Sequence, residues 1–173
     1  MIERPSRDEW LIRMAVITST RGTCLRAAVG AIISRDGRII STGYVGSPRG
    51  LPHCTDVGCD ESTYSGCIRT VHAEANAIAF AARHGIATEG SELHCTHSPC
   101  GNCAKLIINA GIIRVVYDTD YRDITPLDLL ASAGIQTLRW NPQSWTATQC
   151  TCLGRNFGGH LDGCPRKEAK PFA

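Results

Sequence analysis

Two short segments constrain this chain more than anything else in it: His72-Ala73-Glu74 and Pro99-Cys100-Gly101-Asn102-Cys103, each standing where a helix begins. Two thiols at i and i+3 in a first helical turn share one face. A helix N-terminus lowers thiol pKa and so favours the thiolates that a metal requires. His72 supplies a third donor from the start of the other helix. Two cysteines and one histidine leave a fourth tetrahedral position open to water, the arrangement of a catalytic rather than a structural zinc. Glu74 then stands beside that water without binding the metal, placed to move protons.

Ten cysteines in 173 residues sharpen this reading. The N-terminus lacks a basic-then-apolar leader pattern, and no apolar run approaches the roughly 20 residues of a membrane span. The expectation is therefore a cytoplasmic protein without a membrane segment, in which so many thiols point to metal or catalysis rather than to disulfides. A 43% apolar fraction and 20% charged fraction fit a globular domain with a proper core. The net charge of +2 comes without a basic helix or block, so nothing asks for nucleic acid. The expected partner is a small molecule.

Along the chain, Ser6 and Glu9 read as a capping box before a helix carrying Trp10, Leu11, Met14, Ala15 and Ile17. Two strand-like runs flank Arg35-Asp36-Gly37, a hairpin signal. Residues 45–70 lose all period and are rich in Gly, Pro, Cys and Ser; a loop this long is usually functional or held by something else. Helices from His72 to His84, Cys100 to Ala110 and Pro126 to Ala133 end at Gly85, Gly111 and Gly134. Strands from Ser91 to His97, Ile112 to Tyr117 and Ile135 to Trp140 complete an α-β-β-α-β-α-β-α-β order. That order predicts an α/β fold, a mixed five-stranded sheet with helices on both faces. Residues 1–141 form the expected domain and 142–173 a Cys- and Gly-containing tail. The tail holds Cys150, Cys152, His160 and Cys164 at a loose spacing that fits a free segment better than a metal knuckle.

His-x-Glu with Pro-Cys-x-x-Cys is the pattern of zinc deaminases acting on nucleobases. Together with C-L-R-A-A-V-G-A-I-I, S-T-G-Y-V-G-S-P-R-G, H-A-E-A-N-A-I and S-P-C-G-N-C-A-K-L-I-I-N-A-G-I, it makes the chain resemble deoxycytidylate (dCMP) deaminase. The resemblance is to the bacterial and bacteriophage type, of the cytidine deaminase superfamily, and runs from about Trp10 to Trp140. It implies a cytidine-deaminase-like three-layer sandwich, and conversion of dCMP to dUMP and ammonia with Glu74 passing protons to ring N3 and to the departing amine. It also implies a homo-oligomer, a hexamer in many members, activated by dCTP and inhibited by dTTP. Phe80 and Arg83 fall where members pack subunits and bind the effector.

One departure from the family concerns its Gly-Tyr-Asn-Gly loop, whose Asn contacts the sugar; Val45 stands there in this chain. A valine offers no side-chain hydrogen bond, which keeps a modified deoxycytidylate or dCTP open as substrate. Arg26, Arg49 and Tyr121 are the candidates for the 5′-phosphate, since arginine's planar fork suits phosphate oxygens. Phage members carry a structural zinc, with Cys24 and Cys54 at matching positions. Cys59 and Cys67 would complete a closed four-thiolate site, with His53 able to replace one of them. Cys95 reads as a buried strand cysteine. The rival readings are a tRNA adenosine or base deaminase, and a non-catalytic zinc scaffold, for which an intact Glu74 has no use.

Overall fold

The computed structural model describes residues 4–60 and 67–140. The candidate tail residues Cys150, Cys152, His160 and Cys164 lie outside the described residues. The elements are α1 (Arg7–Ser19), β1 (Gly30–Arg35), β2 (Arg38–Tyr44), α2 (Cys54–Val57), α3 (Ala73–Arg83), β3 (Glu92–His97), α4 (Gly101–Asn109), β4 (Arg114–Thr119), α5 (Thr125–Ser132) and β5 (Gln136–Arg139). The short α2 is the one element without a counterpart in the sequence reading. It occupies a single turn, too short to leave an apolar period.

The five strands lie in the order β2-β1-β3-β4-β5. β1 runs antiparallel to β2 and β3, whereas β3, β4 and β5 are parallel, so the sheet is mixed as expected. The β1–β2 hairpin turns on Asp36 and Gly37, both at positive φ (53° and 73°). That pair defines a type I′ turn, whose twist matches that of the strands. Each parallel connection returns through a helix, α4 and then α5.

Alternate strand residues feed the two faces. Ala31, Ile33, Leu93, Cys95, Val115 and Tyr117 pack with Ala73 and Ala77 of α3, Ala104 and Ile107 of α4, and Leu130 of α5. On the opposite face Ile32 packs under Leu11 and Ala15 of α1. Helices therefore cover both faces, with α1 alone on one of them among the described residues. The buried stripe of α1 is Leu11, Ile12, Ala15 and Ser19, while Trp10 and Ile17 point to solvent. This corrects the expected face by about one residue. The Ser6 hydroxyl does cap Glu9 N–H at 3.2 Å, but Glu9 turns its carboxylate to Arg13 instead of closing the box.

A polar clamp holds α1 to the sheet. Asp8 receives Arg114 Nη2 at 2.7 Å and His94 Nε2 at 2.9 Å, and Arg114 also reaches Glu92 at 2.8 Å. His94 is fully buried, and its Nδ1 has no partner among the described residues. Burial pushes the His94 imidazole below its ordinary 6.5, against the pull of Asp8. The unfolded chain thus takes up a proton near 6.5 that the folded chain refuses until lower pH. Stability present above 6.5 falls as pH descends through that value. Urea midpoints measured from pH 7.5 to 5 should decline less steeply for His94→Gln than for wild type; equal slopes would remove His94 from the account. Asp8, held near 2 chiefly by Arg114, contributes stability that is lost only as pH falls from about 3.8 toward 2.

No described helix is long and apolar enough to cross a membrane.

Candidate active site

The site forms where two helix starts meet at one edge of the sheet. His72 is the N-cap of α3 and Cys100 the N-cap of α4, and neither is one of the usual Ser, Thr, Asp or Asn caps. Both helices direct their free main-chain amides and the positive end of their dipoles at this spot. Cys100 Sγ and Cys103 Sγ lie 3.3 and 3.5 Å from His72 Nδ1, and the three donor atoms all sit within 4.8 Å of one another.

Close approaches fix that meeting. A Cβ on Gly43 of β2 would stand 2.1 Å from the carbonyl oxygen of Ala73 and 2.5 Å from the amide of Ala77, so the first turns of α3 rest directly on the strand. Ser41 Oγ donates to the Ala77 carbonyl at 2.7 Å, and Asn76 Nδ2 to the Tyr44 carbonyl at 2.7 Å. Just before the helix, Val71 pairs with Gly46 through two main-chain bonds, of 2.8 and 3.2 Å. His72 and Glu74 are thereby set from β2 and the residues after it.

Glu74 is only 4% exposed. Burial pushes its carboxyl up, while its own main-chain amide, His72 and the Cys103 thiol pull partly back. Hydrogen bonding to Cys100 raises the His72 imidazole. The neighbouring Cys103 thiol and His72 hold Cys100 down at about 3, and the neighbouring Cys100, with burial, pushes Cys103 up. One imidazole nitrogen and two sulfurs are the donors that zinc prefers.

A cavity of about 250 Å³ opens onto this edge and is lined by His72, Glu74 and Cys100. Of the sequence candidates for substrate contact, Arg26, Val45 and Tyr121 also line it. Arg49 does not; it is exposed outside the cavity. Val45 is buried, with its amide donated to Val29 O and its carbonyl accepting Thr23 N, both at 3.0 Å. It therefore presents only carbon to a ligand. Phe80 and Arg83 stand exposed on the later turns of α3, with the Phe80 ring 4.3 Å from that of His84. The sequence reading missed Thr70, His97, Ser98 and Arg122, all in the cavity wall. Their signal was adjacency to the motifs, because Thr70 precedes His72 closely, His97 and Ser98 precede Pro99, and Arg122 follows Tyr121.

A second thiol group sits beside the cavity. Cys54, Cys59 and Cys67 have their sulfurs within 4.8 Å of one another. Cys24 stands outside that group and, like Cys67, lines the cavity. His53 is engaged with Thr23 Oγ1 through Nδ1 at 3.0 Å. Burial and the neighbouring Cys67 push the Cys54 thiol up to about 12. Burial also acts to raise Cys67, but the main-chain amides of Asp60 and Arg69 outweigh it and hold that thiol low. Cys95 is buried as expected and gives its thiol to the His97 carbonyl at 2.9 Å.

Residues 5–119 match the family model described as the cytidine and deoxycytidylate deaminase zinc-binding region. ComE operon protein 2 of Bacillus subtilis is 44% identical over 124 residues, covering 70% of this chain and 64% of that protein. The deoxycytidylate deaminase of Enterobacteria phage T2 is 33% identical over 174 residues, covering 78% of this chain and 93% of the phage protein. Among solved structures, the dCMP deaminase of cyanophage S-TIM5, in complex with dCMP and dUMP, superposes with a TM-score of 0.72 at 34% identity. That match covers 80% of this chain and 99% of the cyanophage chain. With two helix starts bringing His72, Cys100 and Cys103 together beside a buried Glu74, and with these matches, the chain belongs to the cytidine and deoxycytidylate deaminase family.

Proposed function

We propose that residues 1–141 form a zinc-dependent deaminase domain that converts dCMP to dUMP and ammonia. The observation that carries the reading is Glu74, buried beside the His72, Cys100 and Cys103 donors in a cavity open to a ligand. A structural site has no use for a buried carboxylate at that point. Zinc fits the donor set, and held by those three side chains it would supply a water activated near neutral pH, since the metal lowers the pKa of water to about 7.

The chain's own residues do the rest. Glu74 accepts one proton from water and gives it to ring N3 of cytosine as the water oxygen bonds C4. It then takes the remaining proton of that oxygen and delivers it to the amino nitrogen, so that the C4–N bond breaks and ammonia leaves. Burial suits it to this exchange, because a carboxyl raised above its ordinary value holds a proton more readily before passing it on. Arg26, Arg122 and Tyr121 are the cavity residues assigned to the 5′-phosphate. The structure bound to dCMP and dUMP in the cyanophage relative supports a nucleotide of this size and class. Val45 offers a ligand no side-chain hydrogen bond, so 5-substituted deoxycytidylates belong on the substrate panel. Assays of ammonia release from dCMP, dCTP, deoxycytidine and these modified forms test the reading; zinc-loaded protein inactive on all of them would leave a scaffold role instead.

We assign a second, structural zinc to Cys54, Cys59 and Cys67, with Cys24 as the fourth ligand. Thr23, next to Cys24, already bonds His53, next to Cys54, so the two segments are adjacent. Elemental analysis should give two zinc ions per chain, and Cys59→Ser should lower that to one. One zinc per wild-type chain would remove this site. Exposed Phe80 and Arg83 are assigned to assembly with further copies and to dCTP or dTTP as effectors. A reducing cytoplasm suits so many thiols.

A further inference from the structure

We propose that His97 contacts the substrate, donating a hydrogen bond from Nε2 to the 3′-oxygen of the deoxyribose. The proposal rests on the deaminase reading above, and names the group that recognises the sugar.

His97 ends β3, three residues before Cys100, and lines the same cavity as His72 and Glu74. It is held at three points. Its main chain pairs with Thr119 of β4, its carbonyl accepts the Cys95 thiol at 2.9 Å, and its ring Nδ1 meets Thr96 Oγ1 at 3.1 Å. Thr96 Oγ1 is itself committed, since it accepts the Gly30 amide at 3.3 Å. A hydroxyl carries one proton and two lone pairs; Gly30 takes a lone pair, and His97 Nδ1 is the acceptor that the described residues offer to the buried Thr96 proton. The ring proton then resides on Nε2, which has no partner among the described residues. A pre-oriented N–H donor at a cavity wall, held by its own neighbours, is what ligand recognition requires.

The sugar is the part of the nucleotide left for it. The reacting edge of the base must meet Glu74, and Arg26 and Arg122 supply the positive charge for the phosphate. Burial pushes the His97 imidazole below its ordinary value, against the pull of Asp118, which suits the ring to a neutral oxygen. Val45 presents only carbon, because both its main-chain groups are engaged, and it cannot serve a sugar hydroxyl. A hydroxyl buried there without a partner would weaken binding.

Steady-state kinetics of wild type, His97→Ala and His97→Gln with dCMP and with 2′,3′-dideoxycytidine 5′-monophosphate test this. For His97→Ala, kcat/KM for dCMP should fall about three- to tenfold, the range of one neutral hydrogen bond, mostly through KM. The dideoxy substrate, which lacks the 3′-oxygen, should respond far less, and His97→Gln should recover part of the loss. Equal losses on both substrates, at unchanged zinc content and thermal midpoint, would mean a packing role and overturn the proposal; so would an unaltered dCMP response. If wild type deaminates neither compound, the deaminase reading fails and the sugar contact falls with it. If wild type acts on both with equal efficiency, only the sugar contact fails.

Discussion

Glu74→Gln is expected to lower kcat for dCMP by about 10²- to 10⁴-fold, the usual contribution of a positioned proton-transfer group. Glutamine keeps the shape of the side chain and a hydrogen-bonding head, but it can neither accept a proton from water nor return one to the departing amine. KM should change little, because the role proposed for the residue is on the reacting atoms rather than on the sugar or phosphate. Zinc content should be that of wild type, since Glu74 stands beside the donor group and His72, Cys100 and Cys103 are untouched. Turnover near the wild-type value would show that some other group moves the protons.

Gly43→Ala is expected to damage both stability and activity although it lies on a strand with no functional side chain. The added methyl would sit 2.1 Å from the Ala73 carbonyl oxygen, and both atoms belong to rigid backbone, so α3 must lift from β2. Overpacking of this kind destabilises by roughly 1–3 kcal/mol. The turn that lifts carries His72 and Glu74, and a misplacement of about 1 Å can lower the rate about 10²-fold. Urea unfolding and kcat measured on one preparation check this. A variant that is fully stable and fully active would show that the close approach does not set the site.

The parts legible in the sequence are those whose cause is local. Helices α3, α4 and α5 end at Gly85, Gly111 and Gly134, each with positive φ, and the Asp36-Gly37 turn has the geometry its residues demand. His72, Glu74, Cys100 and Cys103 were legible for the same reason, because each pair is fixed within one helical turn. Features set by distant contacts were not. Leu11 and Ile12 are neighbours, as are Val16 and Ile17, so the period alone leaves the buried face of α1 ambiguous by a residue. Its docking is settled by Gly30, whose Cβ would stand 2.1 Å from the Ala15 carbonyl. His97, Ser98 and Arg122 reach one cavity only because β3 pairs with β4 and Tyr121 N–H bonds Ser98 Oγ at 2.8 Å. The clamp joining Asp8, His94 and Arg114 spans three elements, and nothing near any of the three residues announces it. Cys24 matches a family position in sequence, yet the sulfurs of Cys54, Cys59 and Cys67 gather without it.

The most direct test of the central claim is the product balance of dCMP incubated with the purified, zinc-loaded chain, beside Glu74→Gln at equal concentration. Wild type should give dUMP and ammonia in equal amounts, and the variant almost none. Wild type that binds zinc and leaves dCMP unchanged, or a variant that releases ammonia as fast as wild type, would contradict it.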